Sequence, residues 1–163
     1  ILVVESNFFR QIGGSALTDD SIPIPTKLSN GIPVTYVPFR NANILSMAVS
    51  WAEVIEAKRV FIGAVEEDSS GYPDCRETFF SAFNEMISKG TKPGSEIRIE
   101  APLLHSKKSE IVKMGFELGV PFNLTWSCYQ SQSQACGVCD SCRLRLKGFS
   151  DAQVKDPIPY VDG

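Results

Sequence analysis

The stretch TWSCYQSQSQACGVCDSCRLRLKGF, Thr125 to Phe149, governs the reading of this chain, because it holds four cysteines in the run Cys128-x7-Cys136-x2-Cys139-x2-Cys142. Thiolates repel one another and are costly to bury, so a cluster this dense is held by a metal or by disulfides. A Cys-x2-Cys turn points two sulfurs at one ion at the tetrahedral Zn–S distance of about 2.3 Å. Cys139 belongs to two such turns, and Gly137 gives the first its backbone freedom. An iron–sulfur cluster is the rival, since a Cys-x2-Cys-x2-Cys run also occurs in bacterial ferredoxins. There a further cysteine and a proline follow directly, whereas here the fourth cysteine lies upstream. Disulfides are disfavoured, because the sequence shows no secretory leader and Cys75 would be left odd and distant. Spacing thus favours one structural zinc ion on Cys128, Cys136, Cys139 and Cys142, with the iron–sulfur and disulfide readings behind it. Four sulfurs close such a site to a reactive water, so its role is to hold a loop.

Upstream of the cysteines, strand-like and helix-like stretches alternate, the pattern of a parallel α/β sheet. Ile1–Val4 reads as a buried strand, Val60–Val65 as a second, and Glu96–Ala101 as a third stopped by Pro102. Asn41 is placed to cap a helix running to about Lys58, with Ile44, Leu45, Ala48, Trp51, Ala52 and Ile55 along its inner face. Asp74-Cys-Arg-Glu77 resembles a capping box opening a helix that turns Phe79, Phe80, Phe83 and Ile87 inward. Ser106 can cap a third, burying Ile111, Val112, Gly115 and Leu118. These stripes are core positions. Between them, Thr18–Pro38 carries four prolines, and Gly90–Gly94 is a turn.

The 163 residues suffice for one domain that buries roughly two-thirds of its extended surface. A net charge of −3 argues against a broad nucleic-acid-binding face, which needs a basic surplus. The apolar runs are too short to span a bilayer. Reduced cysteines without a leader set the expectation of a cytoplasmic protein.

Ligands of open parallel sheets sit at the carboxyl ends of the strands. After the second strand comes the polar, turn-rich run Glu66–Arg76, which could recognise a purine-like substrate through backbone groups and carboxylates, with Tyr72 stacking on the ring. The plainer alternative is a solvated loop with Asp74 as a helix cap. Cys75 reads as a packed or substrate-facing thiol and not a nucleophile. Arg40, beside Asn41 at a helix start, opposes the dipole and calls for an anion nearby, in the plainest case a surface carboxylate. Lys108 stands at a similar helix start and could steady a phosphate. Lys107 and His105 read as surface residues.

Four segments together resemble one family. Thr125–Phe149 resembles the zinc-binding end of the QueC, or 7-cyano-7-deazaguanine synthase, family. IPVTYVPFRNANILSMA (Ile32–Ala48), GAVEEDSSGYPDCRETFFSAFN (Gly63–Asn84) and, more weakly, PLLHSKKSEIV (Pro102–Val112) resemble it too. The resemblance implies an α/β parallel-sheet nucleotide-binding domain of the HUP, adenine-nucleotide α-hydrolase-like type over residues 1–122. Residues 123–163 would form a zinc-binding region packed on it. It implies ATP-dependent conversion of 7-carboxy-7-deazaguanine and ammonia to 7-cyano-7-deazaguanine through adenylated intermediates, with magnesium accompanying the nucleotide and a homodimer as the assembly. It makes Arg40, Asn41, Gly63, Tyr72, Asp74, Arg76 and Lys108 the substrate- and nucleotide-binding residues; no residue stands out as a general base.

The family's Ser-Gly-Gly-x-Asp-Ser phosphate loop has no match here, and Gly13-Gly14 reads as an ordinary loop. The expectation is therefore a fold incomplete at its amino end and inactive by itself. Ile1–Val4 would be the family's third strand, parted from Val60–Val65 by two strands. A related adenylating enzyme that modifies transfer RNA or a nucleobase, and a non-catalytic zinc-stabilised binding module, are the competing functions.

Overall fold

Val60 and Ile99 lie side by side in a parallel ladder, in which β1 (Arg59–Phe61) pairs with β2 (Arg98–Glu100). This computed structural model describes residues 1–26, 31–66 and 71–161. Parallel neighbours need a long crossover, and α3 (Glu77–Gly90) lies within it. Phe80, Phe83 and Ile87 of α3 pack with Ile97 and Ile99, and with Leu45 and Ala52 of α2 (Arg40–Val54), to form the main core. Asn84 finishes the far edge of β2: its carboxamide accepts from the Ile99 N–H at 2.8 Å and donates to the Ile99 carbonyl at 3.1 Å. A side chain thus supplies the two bonds that another strand would make.

The strands are shorter than their hydrophobicity suggests. Beyond Phe61 the ladder makes one more bond, from the Ile62 N–H to the Glu100 carbonyl at 3.0 Å, and then the chain runs on irregularly to Val65. Ile1–Val4 is not a strand but an exposed, irregular segment. Apolar composition cannot make a strand without a partner ladder for its N–H and C=O groups, and among the described residues none pairs with it. A short helix follows, α1 (Phe8–Ile12), and Gly13 and Gly14, at φ 67° and 76°, turn the chain away from it as a plain loop.

Helix starts depart from the sequence reading as well. Asn41 lies inside α2, and Phe39, in the left-handed region, takes the cap position. Asp74 does not open α3; it sits in a 3-10 turn, Pro73–Cys75, and its Oδ2 accepts the backbone N–H of Asn41 at 2.8 Å. It therefore serves the amino end of α2, while Glu66 Oε2 accepts the first N–H of α3, that of Glu77, at 2.9 Å. Local spacing could not reveal a cap delivered from a distant segment. The cap of α4 (Lys108–Glu117) is Lys107, not Ser106, with the Lys107 N–H donating to Glu110 Oε2 at 2.8 Å.

On α2 the buried face is Ala42, Leu45 and Ala52, while Ile44, Trp51 and Ile55 stay exposed. The expected stripe spanned two neighbouring faces, and only one meets the sheet. Leu118, expected inside, falls past the end of α4 and is exposed. Helix α5 (Asp140–Asp151) crosses α4 closely, since a Cβ at Gly148 would lie 2.8 Å from the Cβ of Lys108. A Cβ at Gly115 would collide with the Phe122 ring. Val112, Phe149 and Ala152 form the small core between these helices. No described helix is long and apolar enough to cross a membrane.

Candidate functional site

The run from Cys128 to Cys142 folds so that all four Sγ atoms lie within 4.8 Å of one another. Tetrahedral zinc with bonds of about 2.3 Å sets sulfurs about 3.8 Å apart, and those of Cys136 and Cys142 are 3.9 Å apart. Gly137, at φ 72°, makes the turn between the first two ligands of the tight run. Cys139 caps α5, so Cys142 is carried on the first turn of a helix. Both are completely buried.

Backbone N–H groups point at the sulfurs, from Gln130 and Cys136 to Cys128 and from Cys139 to Cys136. Burial opposes a Cys128 thiolate, but these N–H bonds outweigh it and bring the thiol down to about 7. Burial pushes Cys136 and Cys142 up, with sulfur neighbours adding to it. Crowded thiols that resist ionisation alone are the groups a divalent cation stabilises as thiolates. The donor set therefore fits a metal ion such as zinc, and it is complete without water.

Three further ties hold this region. A bridge joins Ala135 to Tyr160, the Ala135 N–H donating to Pro159 at 2.8 Å and the Val161 N–H to Ala135 at 3.0 Å. Arg143 donates to the carbonyls of Val138 and Thr26, reaching across to the amino-terminal part of the chain. Arg145 grips buried Asp156 with two bonds, Nε to Oδ2 at 2.6 Å and Nη2 to Oδ1 at 2.9 Å. It also donates to Thr125 Oγ1 and to the Phe122 carbonyl, and stacks 5.1 Å from the Phe149 ring centre. Tyr160 donates to the same carboxylate at 2.7 Å, and burial together with Asp156 pushes its hydroxyl up.

Between this region and the carboxyl end of β1 lies a cavity of about 430 Å³. Five of the residues expected to bind substrate or nucleotide line it: Arg40, Asn41, Gly63, Tyr72 and Lys108. Arg40 and Lys108 are the first residues of α2 and α4, so two helix starts and two cations converge on one space. Asp74 lies behind the wall, buried under α2, and Arg76 is exposed at the cap of α3; neither lines the cavity. Glu67–Ser70, part of the expected substrate loop, fall outside the described residues.

Tyr72 is itself buried and tilted against Tyr36, and its hydroxyl lies 3.0 Å from Thr35 Oγ1 and 3.4 Å from the Tyr129 hydroxyl. Cys75 lines the cavity, takes a bond from Asn41 Nδ2 at 3.2 Å, and has its thiol pushed up by burial and then by Asp74. His105 is a surface residue 3.9 Å from Glu77.

Sequence reasoning missed four further lining residues, Ser127, Tyr129, Ser141 and Arg145. The signal was present in the spacing. Ser127 and Tyr129 flank Cys128, Ser141 lies between Cys139 and Cys142, and Arg145 stands three residues beyond Cys142 on the same helix face. Any cluster that fixes the sulfurs fixes these neighbours too.

Comparison with known proteins identifies the family. A family model described as the queuosine biosynthesis protein QueC matches residues 1–153. The 7-cyano-7-deazaguanine synthase of Chloroherpeton thalassium is 62% identical over 96% of this chain and 71% of its own length. The enzymes of that name from Chlorobium phaeobacteroides and Koribacter versatilis are 60% and 57% identical, each over 98% of this chain and over 71% and 68% of their own lengths. A family match over nearly the whole chain, together with relatives of this identity, shows that the chain belongs to the QueC family.

Proposed function

We propose that this protein converts 7-carboxy-7-deazaguanine and ammonia to 7-cyano-7-deazaguanine at the expense of ATP. The observation that carries the reading is the convergence of Arg40 and Lys108, each at a helix start, on a cavity at the carboxyl edge of the strands. That arrangement suits a ligand pair in which one member carries phosphates and the other a carboxylate. The relatives' shared name supplies the chemistry that such a site would serve.

A carboxylate is a poor acyl donor because oxide is a poor leaving group. Its oxygen attacks the α-phosphorus of ATP, pyrophosphate leaves, and the acyl-adenylate forms. Ammonia attacks the acyl carbon and AMP departs, leaving the amide. The amide oxygen is adenylated in turn, and loss of AMP and protons yields the nitrile. Catalysis is mainly positioning and charge neutralisation, to which Arg40 and Lys108 contribute fixed positive charge and Asn41 and Gly63 shape the wall. Magnesium accompanying the nucleotide would supply further neutralisation. The four cysteines would hold zinc as a structural ion. Chemistry through a covalent cysteine gains no support, since Cys75 has its thiol held in the protonated form by burial.

We further propose that residues 1–122 form the nucleotide-binding part and 123–163 the zinc-binding part, in a cytoplasmic homodimer. Incubating the full-length protein with ATP, ammonia and 7-carboxy-7-deazaguanine should release two AMP per nitrile, read by mass spectrometry. AMP release with only the amide, or no dependence on the deazaguanine acid, would sink the assignment. Analytical ultracentrifugation tests the dimer.

A further inference from the structure

Ser127 Oγ is a buried side-chain oxygen without a hydrogen-bond partner among the described residues, and Ser127 lines the cavity. An unpaired buried hydroxyl is unfavourable, so a native chain that keeps one calls for a reason. Its neighbours show why nothing nearby satisfies it. Tyr72 is engaged with Thr35 and with Tyr129, and Arg145 is committed to Asp156, Thr125 and Phe122. A serine hydroxyl changes direction by one rotation about χ1, between staggered wells, on a fast timescale. In its present rotamer no described residue holds it, so a ligand entering the cavity recruits it at little cost.

The wall's chemistry says which ligand that is. Phosphate oxygens only accept, and Arg40 and Lys108 are there to donate to them. Hydroxyls both donate and accept, and Ser127, Tyr129 and Ser141 form a wall of such groups. The ring edge of a guanine-like base, with acceptors and donors in one plane, uses both capacities of such groups, whereas a phosphate uses only their donors.

We infer that Ser127 is a specificity-determining contact to the deazaguanine ring, held in place by the adjacent cysteine cluster. The inference rests on the proposed function. Ser127→Ala should weaken binding of 7-carboxy-7-deazaguanine about 3- to 10-fold, the range of one neutral hydrogen bond, while leaving ATP affinity unchanged. Ser127→Thr, which keeps the hydroxyl, should restore most of it.

Calorimetric titration of each ligand into full-length wild type and both variants reads this out, with metal content measured in parallel. The ligand-free Ser127→Ala protein should be at least as heat-stable as wild type, because the hydroxyl it loses has no partner among the described residues. Equal affinity of wild type and Ser127→Ala for the deazaguanine acid overturns the inference. So does an equal loss for ATP, or a lower melting temperature with lost metal, since each makes the hydroxyl structural. If wild type binds ATP but not the deazaguanine acid, the functional reading fails, and Ser127 with it. An Ala variant that does not fold refutes the claim that the hydroxyl is unengaged, and the Thr variant then shows whether binding needs it.

Discussion

Among the described residues, the fully buried cluster around the sulfurs is Ala135, Ile158, Cys139 and Cys142, with Ile24, Tyr129 and Tyr160 partly buried against it. Around β1 and β2 the interior is Leu45, Ala52, Phe80, Phe83, Ile87 and Ile99, with further aliphatic cover. The first region is held by a few strong, specific ties: a four-sulfur site, the Arg145–Asp156 pair and the bridge to Tyr160. The second is held by many weak apolar contacts that grade into one another. The difference teaches where each region fails. Losing one strong tie leaves charges or thiols stranded, whereas losing one apolar contact leaves a cavity that neighbours partly fill.

Removing the metal should give the largest effect. Structural zinc contributes roughly 10–16 kcal/mol of apparent binding free energy, comparable with a whole domain's stability. Chelation of the metal-loaded protein, or Cys139→Ser, should therefore melt residues 125–160 while α3 and the strand pair keep their protection. Hydrogen exchange resolved by segment checks this. Uniform loss of protection would show that the two regions stand or fall together, and iron with sulfide in the purified protein would replace zinc in the account.

Next is Asp156→Ala, which leaves the Arg145 guanidinium buried and unpaired. Breaking a buried ion pair on one side costs about 3–5 kcal/mol, and urea unfolding measures it. The Arg145 side chain is only 11% exposed, so water cannot make up the loss without distorting the loop at Thr125. A cost below about 1 kcal/mol, the range of a surface pair, would place Arg145 in solvent.

Leu45→Ala tests the other region. Truncating a buried leucine costs about 2–5 kcal/mol, and here the lower half is expected because the exposed flank of α2 lets the helix settle inward. Metal content should not change. Loss of the metal in this variant would break the contrast between the regions.

The smallest effect is Asn84→Ala. Two backbone groups of Ile99 lose their side-chain partners, but they lie at a sheet edge that water can reach, so about 1–2 kcal/mol is expected. The amide of Ile99 should then exchange faster than that of Phe83. Unaltered exchange at Ile99 would mean that Asn84 is not its partner in solution.

How much of this was legible beforehand depends on the range over which each feature is encoded. The four metal-type ligands, the parallel α/β class, the α3 stripe Phe80, Phe83 and Ile87, and the gathering of Arg40, Asn41, Gly63, Tyr72 and Lys108 at a strand end follow from spacing, periodicity and resemblance. The ligand spacing and the α3 stripe are set by neighbours a few residues apart, where turn and helix geometry leaves little choice; the gathering of the five lining residues was legible only through the resemblance.

Tertiary structure alone decided the rest. Asp74 serves the amino end of α2 across 33 residues, and Glu66 serves α3. Ile1–Val4 lies exposed despite a strand-like composition, and Arg145 finds Asp156 beneath a loop. Ser127 is left facing a cavity made by segments distant in the chain. A cap, an ion pair or a strand needs only a suitable group at the right place in space, and that place is set by how α4, α5 and the sheet pack, a property of no single segment.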